Sequence, residues 1–287
     1  MYFNQESILL SYRHSFHAGN FADIIKHIVQ VEILEHLTKK DKPFTYIDTH
    51  SGAGLFNLNS EHARKLEEYA GGISKLEAQD WPELARYFEV IEEHNDGNAA
   101  GAYYPGSPLI AQDFLRGLDK AWLYELHPED FQRLKHNIGH DRRVQVKHED
   151  GFQGLLGLVP PPARRGLVLI DPSYEIKADY DQVFKVVNTA YKKFSTGTYA
   201  IWYPMVNRQQ IDDLERNFVH SGIRDIQRFE LGLAADSHGH GMTATGMIVI
   251  NPPWGLMDKM SAVLPKLVDV LGESDEAFYK ADVLVAE

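Results

Sequence analysis

Seven short apolar runs recur along this chain, at 44–48, 121–125, 143–148, 167–171, 198–203, 225–231 and 246–251, and helical patterns at 129–137, 178–194 and 207–221 separate several of them. Strand and helix alternating in this way leave few solutions. Each run must be covered on both sides, which a mostly parallel sheet with helices on both faces achieves. The expected fold is therefore α/β and Rossmann-like, with a seven-stranded, mostly parallel sheet. An apolar helical pattern at 22–38, marked by Ile24, Ile25, Ile28, Val31, Leu34 and Leu37, precedes the first strand. Asn20 is its expected cap, and Lys39 and Lys40 suit the negative end of its dipole.

One interval is too long for a simple crossover: about seventy residues separate the first two strands. Within it, 61–96 is rich in Glu, Leu, Ala, Arg and Lys and reads as two helices. Residues 57–103 are thus expected to be an inserted helical subdomain, with 1–56 and 104–287 forming the main domain.

The 287 residues include no cysteine, which excludes disulfides, thiolate metal sites and cysteine nucleophiles and suits a reducing cytoplasm. No basic stretch followed by an apolar one opens the chain, so no signal peptide is expected. No apolar run approaches the ~20 residues of a membrane span. The net charge of −12 argues against phosphate binding by the molecule as a whole. Local basic pairs nevertheless occur at Lys39-Lys40 (with Lys42), Arg142-Arg143, Arg164-Arg165 and Lys192-Lys193, each also readable as a solvated turn.

Chemistry gathers at the carboxyl ends of the first four strands. The first ends in Asp48-Thr49-His50-Ser51-Gly52-Ala53-Gly54, where Gly52 and Gly54 permit a tight turn and close approach of a ligand. A dinucleotide fingerprint needs a third Gly or Ala at position 57, and Asn57 stands there, which disfavours an NAD-dependent oxidoreductase. The second strand ends in Glu125, a carboxylate suited to ribose hydroxyls; the third is followed by Asp150-Gly151-Phe152, suited to an adenine amino group. Either acid alone also reads as a turn or cap residue. The fourth ends in Asp171-Pro172-Ser173-Tyr174. That turn offers a carboxylate, a carbonyl and an aromatic face, the three groups needed to hold a planar amine and free its lone pair for methylation. A Gly-rich loop, a ribose acid, an adenine acid and Asp-Pro-x-Tyr, in that order, form the layout of a class I methyltransferase using S-adenosyl-L-methionine. Asn251-Pro252-Pro253-Trp254 is by pattern a fuller amino-methyltransferase motif, but it follows the seventh strand instead of the fourth. His238-Gly239-His240 lacks a third ligand in view, and no metal is expected.

The segments Leu10 to Asn20, Asp48 to Gly54, Tyr103-Tyr104-Pro105-Gly106-Ser107-Pro108, Glu125-Leu126-His127-Pro128 and Gly241-Met242-Thr243-Ala244 together resemble the RlmJ family of bacterial 23S ribosomal RNA adenine-N6 methyltransferases. The resemblance runs in order from about residue 9 to 256. It implies that His27, His50, Ser107, Glu125, Asp150, Gly151 and Asp171 contact the cofactor, with Lys26 beside them. It also implies that Asp171 is catalytic, and that Tyr12, with His14 near it, meets the RNA. Pro172 and Tyr174 complete the expected catalytic set, Tyr174 as a stacking face for the target base; Gly52 and Gly54 complete the cofactor set. Ser173 departs from the family's usual proline, and the first eight residues precede the family's usual start. The implied partner is 23S ribosomal RNA, in the cytoplasm, with no membrane and no obligatory protein partner. Two other readings stay open at this point: a DNA adenine or cytosine amino-methyltransferase, and a non-catalytic RNA-binding ribosome-assembly factor on the same fold.

Overall fold

A computed structural model describes residues 17–96, 101–174, 177–234 and 242–287. Tyr12, His14 and the His238-Gly239-His240 segment lie outside the described residues. The main sheet has eight strands, one more than expected. In chain order they are β1 (Thr45–Asp48), β4 (Lys120–Tyr124), β5 (Val144–Lys147), β6 (Gly166–Ile170), β7 (Thr198–Pro204), β8 (Ile226–Gly232), β9 (Ala244–Ile250) and β10 (Phe278–Val285). Two three-residue strands, β2 (Leu55–Asn57) and β3 (Tyr103–Pro105), pair separately.

Across the main sheet the order is β10-β8-β9-β7-β6-β1-β4-β5. The five strands β7, β6, β1, β4 and β5 are parallel, whereas β9 runs antiparallel between β7 and β8, and β10 pairs antiparallel with β8. The unexpected strand, β10, is only partly buried along its length. Its polar residues are tied to its neighbour, Lys280 to Glu230 and Asp282 to Arg228. Phe278, Ala281, Leu284 and Val285 pack against the core, so the strand is held by an apolar face as well as by these charge pairs, and its apolar run, Val283-Leu284-Val285, is only three residues long.

Helix α1 (Phe21–Thr38) is capped by Asn20, whose side chain accepts from the Ala22 and Asp23 amides. It is more than an amphipathic surface helix: 14 of its 18 residues are buried. It lies against β6, β7, β9 and three other helices, α4 (Ala85–Glu93), α5 (Ser107–Phe114) and α10 (Leu256–Leu271). Helices α6 (Pro128–Ile138), α7 (Gly151–Leu158), α8 (Lys177–Lys193) and α9 (Arg208–His220) follow their strands as the alternation requires.

The stretch expected to hold two helices is more broken. It has two short helices, α2 (Glu61–Leu66) and α3 (Glu68–Gly71), three 3-10 turns between 73 and 84, and only then α4. Glu67, at φ 49°, and the Gly71-Gly72 pair interrupt the run. Pro82 sets the last turn. Its apolar side chains, among them Trp81, Leu84, Phe88 and Ile91, join the same core as α1 and the sheet. Among the described residues no helix is long and apolar enough to cross a membrane.

Candidate active site

The parallel strands β1, β4, β5 and β6 end at one edge of the sheet, and their following residues line a cavity of about 270 Å3. After β1 the chain turns through Gly52 (φ +61°) and Gly54 (φ +81°), a conformation that side chains with a Cβ rarely adopt. The turn is anchored from both ends. Asp48, fully buried, accepts from Ser107 Oγ at 2.7 Å and Tyr46 Oη at 2.8 Å, and burial pushes its carboxyl up to about 6 against those bonds. Gly106 N donates to Gly54 O at 2.7 Å. This ties the start of α5 to the loop and places Ser107 in the cavity wall.

Glu125 stands just beyond β4. Its Oε2 accepts from Gly52 N at 2.7 Å and its Oε1 from His127 N at 2.6 Å. Each oxygen keeps a second lone pair, as an acceptor of two ribose hydroxyls requires. Burial pushes this carboxyl up to about 7 despite the two N–H donors. Asp150 caps α7 with one oxygen, Oδ1, which accepts from the Phe152 and Gln153 amides. Next to it Gly151 packs so tightly on β1's loop that a Cβ would fall 1.9 Å from Thr49 O. Phe152 meets His50 edge-on, with ring centroids 4.9 Å apart. Burial lowers His50 to about 4, outweighing Asp171 and Asp150, so the imidazole is neutral at physiological pH. Two acids, a tight glycine turn and an aromatic wall thus fit a nucleoside-bearing cofactor.

Asp171 follows β6 and marks a junction. A second cavity, about 560 Å3, shares Lys26, Asp171 and Ser173 with the first. Lys26 Nζ contacts Asp171 Oδ2 at 2.6 Å and Asp23 Oδ1 at 2.8 Å. Burial alone would lower the lysine's pKa, but the two carboxylates reverse this and hold it above its ordinary value. The neighbouring His27 faces the first cavity, and its Nδ1 pairs with Tyr104 Oη at 2.8 Å, which in turn meets Tyr87 Oη.

Of the residues singled out from sequence, Lys26, His27, His50, Gly52, Ser107, Glu125, Asp150, Gly151, Asp171 and Pro172 all line the first cavity. Gly54 supports it from behind, its missing Cβ facing Leu134 and Leu109. Tyr174 lines neither cavity. It sits at φ +50°, only 9% exposed, with its hydroxyl donating to Trp202 O at 2.7 Å and its ring against Tyr180 and Trp202. The second cavity is lined instead by Phe21, at the start of α1, and by Trp202, near the end of β7, whose buried Nε1 has no hydrogen-bond partner among the described residues. In the sequence Trp202 reads only as a strand residue. Its signal was its place, near the carboxyl end of the strand beside β6. Asn251-Pro252-Pro253-Trp254 lies at the opposite edge, because β9 is antiparallel; Asn251 Nδ2 donates to Ser195 O and Gly197 O.

The fold and site define a class I methyltransferase. Five parallel strands are followed by an antiparallel strand inserted beside the last of them, and the cofactor-type acids stand at successive strand ends. A family model described as "Ribosomal RNA large subunit methyltransferase D, RlmJ" matches residues 41–285. Two curated proteins called Ribosomal RNA large subunit methyltransferase J are similar over nearly the whole chain. The one from Haemophilus influenzae is 51% identical over 265 residues, 92% of this chain and 94% of its own. That from Escherichia coli K12 is 51% identical over 261 residues, 90% of this chain and 93% of its own. A crystal structure from Legionella pneumophila superposes with a TM-score of 0.86 at 38% identity, covering 93% of this chain and 98% of that one. The chain belongs to the RlmJ family.

Proposed function

We propose that this protein transfers a methyl group from S-adenosyl-L-methionine to the N6 amino group of an adenine in 23S ribosomal RNA, in the cytoplasm. The observation that carries the reading is the junction at Asp171, where one carboxylate borders two cavities. The first holds the cofactor, with Glu125 on the ribose, Asp150 on the adenine amine, and His50, Gly52, Ser107 and Gly151 around them. The second receives the target adenine, extruded from its helix. The bound cofactor supplies the electrophilic methyl group.

The protein's own residues prepare the amine. The N6 lone pair is delocalised into the purine and nucleophilic only when the nitrogen pyramidalises. Lys26 occupies Asp171 Oδ2, leaving Oδ1 to accept one amine hydrogen, and the Pro172 carbonyl accepts the other. Trp202 presents the aromatic face to the base, with Tyr174 bracing it from behind. Stacking on such a face is worth roughly 1–3 kcal/mol, enough to offset much of the cost of extrusion. Residues 57–103 act as a subdomain inserted into the methyltransferase domain, lending Glu67, Glu68 and Gly71 to the second cavity's wall. Tyr12 and His14 are assigned to the RNA.

Mass spectrometry of 23S RNA from cells with and without the gene tests this. The expected result is one N6-methyladenine that disappears with the gene and returns with the wild-type copy but not with Asp171→Ala. An unchanged adenine methylation pattern overturns it.

A further inference from the structure

The residues lining the two cavities carry an acidic balance. Around the first stand Glu125, Asp130, Asp150, Asp171 and Asp179, and around the second Asp23, Glu67, Glu68 and Glu273. Lys26 is the one Lys or Arg among these lining residues, and Asp23 and Asp171 already neutralise it. A polyanion finds no unpaired Lys or Arg among these lining residues, although phosphate neutralisation dominates affinity for nucleic acids.

The opposite edge of the sheet has the reverse character. Five adjacent strands, β5-β4-β1-β6-β7, start there, and each is preceded by cations. Arg142 and Arg143 precede β5, and Arg116 precedes β4, whose first residue is Lys120. Lys40 and Lys42 lead into β1, Arg164 and Arg165 into β6, and Lys192 and Lys193 into β7. At the ~4.8 Å spacing of strands this row is about 19 Å across. Hydrogen bonds knit it together. Lys120 Nζ donates to Arg142 O at 3.4 Å, Arg116 to Lys40 O and Lys42 O at 2.8 Å, and Arg165 to Lys42 O at 3.0 Å. Thr196 Oγ1 reaches Arg164 O at 3.1 Å. Asp119 and Asp141 are spent on Arg116 and Arg143. By contrast Lys40, Lys42, Arg142, Arg164 and Lys192 are exposed and form no ion pair among the described residues; Asp41 is the exposed carboxylate in their midst. The local field registers on His36, whose pKa is lowered by burial and then by Lys39, Lys40 and Arg165.

We infer that this basic row is a second RNA-docking surface, which grips the phosphate backbone of folded RNA flanking the target while the acidic edge admits only the base. The inference rests on the RNA reading above and deepens it. The five residues of β6 separate the row from Asp171 by about 17 Å, at ~3.3 Å per residue. The phosphates it holds therefore belong to a neighbouring helix or a distant strand of a structured substrate.

The experiment compares two triple charge reversals that change net charge equally: Lys42→Glu, Arg164→Glu, Lys192→Glu on the row, and Lys75→Glu, Lys135→Glu, Lys185→Glu elsewhere on the surface. Binding to protein-free large-subunit ribosomal RNA is measured against salt, with thermal melting and adenosylmethionine affinity as controls. The row variant is expected to bind at least tenfold more weakly than wild type at ~0.1 M salt. Its plot of log affinity against log salt should be shallower by about 2, from ~0.7 per lost contact. The control variant should stay within threefold. Equal effects of the two triples, or none from the row triple, overturn the proposal. If the reversals fail to fold, glutamine at the same three positions is read by the same criterion. Failure of methyl transfer to any RNA by wild type would instead strike the proposed activity, since binding and its salt slope are scored independently of turnover.

Discussion

The two edges of one sheet have opposite chemistry. Where β1, β4, β5 and β6 end, carboxylates crowd around two cavities; where the same strands begin, lysines and arginines line up. Parallel topology makes this division possible, since every strand delivers its carboxyl end to one edge and its amino end to the other. The net charge of −12 averages over both and describes neither. For a protein acting on nucleic acid, recognition of a base and attraction of a backbone need not share a surface.

The comparison can be broken most sharply at Asp171. Asp171→Ala should lower turnover by about a thousandfold or more, the scale of losing a group that acts on the reacting atoms, while adenosylmethionine binds within about tenfold of wild type. Calorimetry and single-turnover methylation check the two halves separately, and ordinary turnover would remove the acidic edge from catalysis. Next in size is Lys26→Met, which removes the cation shared by Asp23 and Asp171; breaking a buried pair of this kind costs ~3–5 kcal/mol, readable as a lower urea midpoint. Trp202→Ala should raise KM for RNA by roughly tenfold to a hundredfold through lost stacking, leaving cofactor affinity alone. A Tyr174→Ala variant with the larger KM effect would restore Tyr174 as the stacking face.

The smallest effect is in pH. Glu125 is pushed up to about 7 from an ordinary 4.5, so the folded protein binds this proton more tightly than the unfolded chain does. The stabilisation is complete below about 4.5 and is lost as pH rises through 7, by roughly 1–3 kcal/mol. Asp48, raised to about 6, adds to the same trend. Glu125→Gln should therefore gain stability relative to wild type between pH 5 and pH 8 in urea titrations. Cofactor affinity of the wild type should rise over that range, because the ionised carboxylate is the better acceptor for ribose hydroxyls.

Much of the acidic edge was legible in the chain because strand ends announce themselves. Asp48, Glu125, Asp150 and Asp171 each follow an apolar run, and the parallel order brings them together. What failed to read is what depends on distance or on edges. The Lys26–Asp171 contact spans 145 residues, and nothing local to either one signals it. Tyr174 could be placed on its turn, but not its hydroxyl on Trp202 O, which swings the ring away from the opening. Strand β10 interleaves Lys280 and Asp282 with the core-packed Phe278, Ala281, Leu284 and Val285, which shortens its apolar run. Helix α10 did carry a signal, Leu256, Met260, Val263, Leu264, Leu267 and Leu271 on one face. Pro265 within it and the acidic composition around it masked the period. The basic pairs were each visible, yet only the strand order puts them side by side.

Helix α1 has a consequence for how such an enzyme can change over evolutionary time. Lys26 and His27 sit on a segment enclosed by strands and helices on nearly all sides, so mutation there is tested first by whether the protein survives at all. Drift toward a new target has more room elsewhere, in the loops around the second opening and in the exposed lysines and arginines of the far edge.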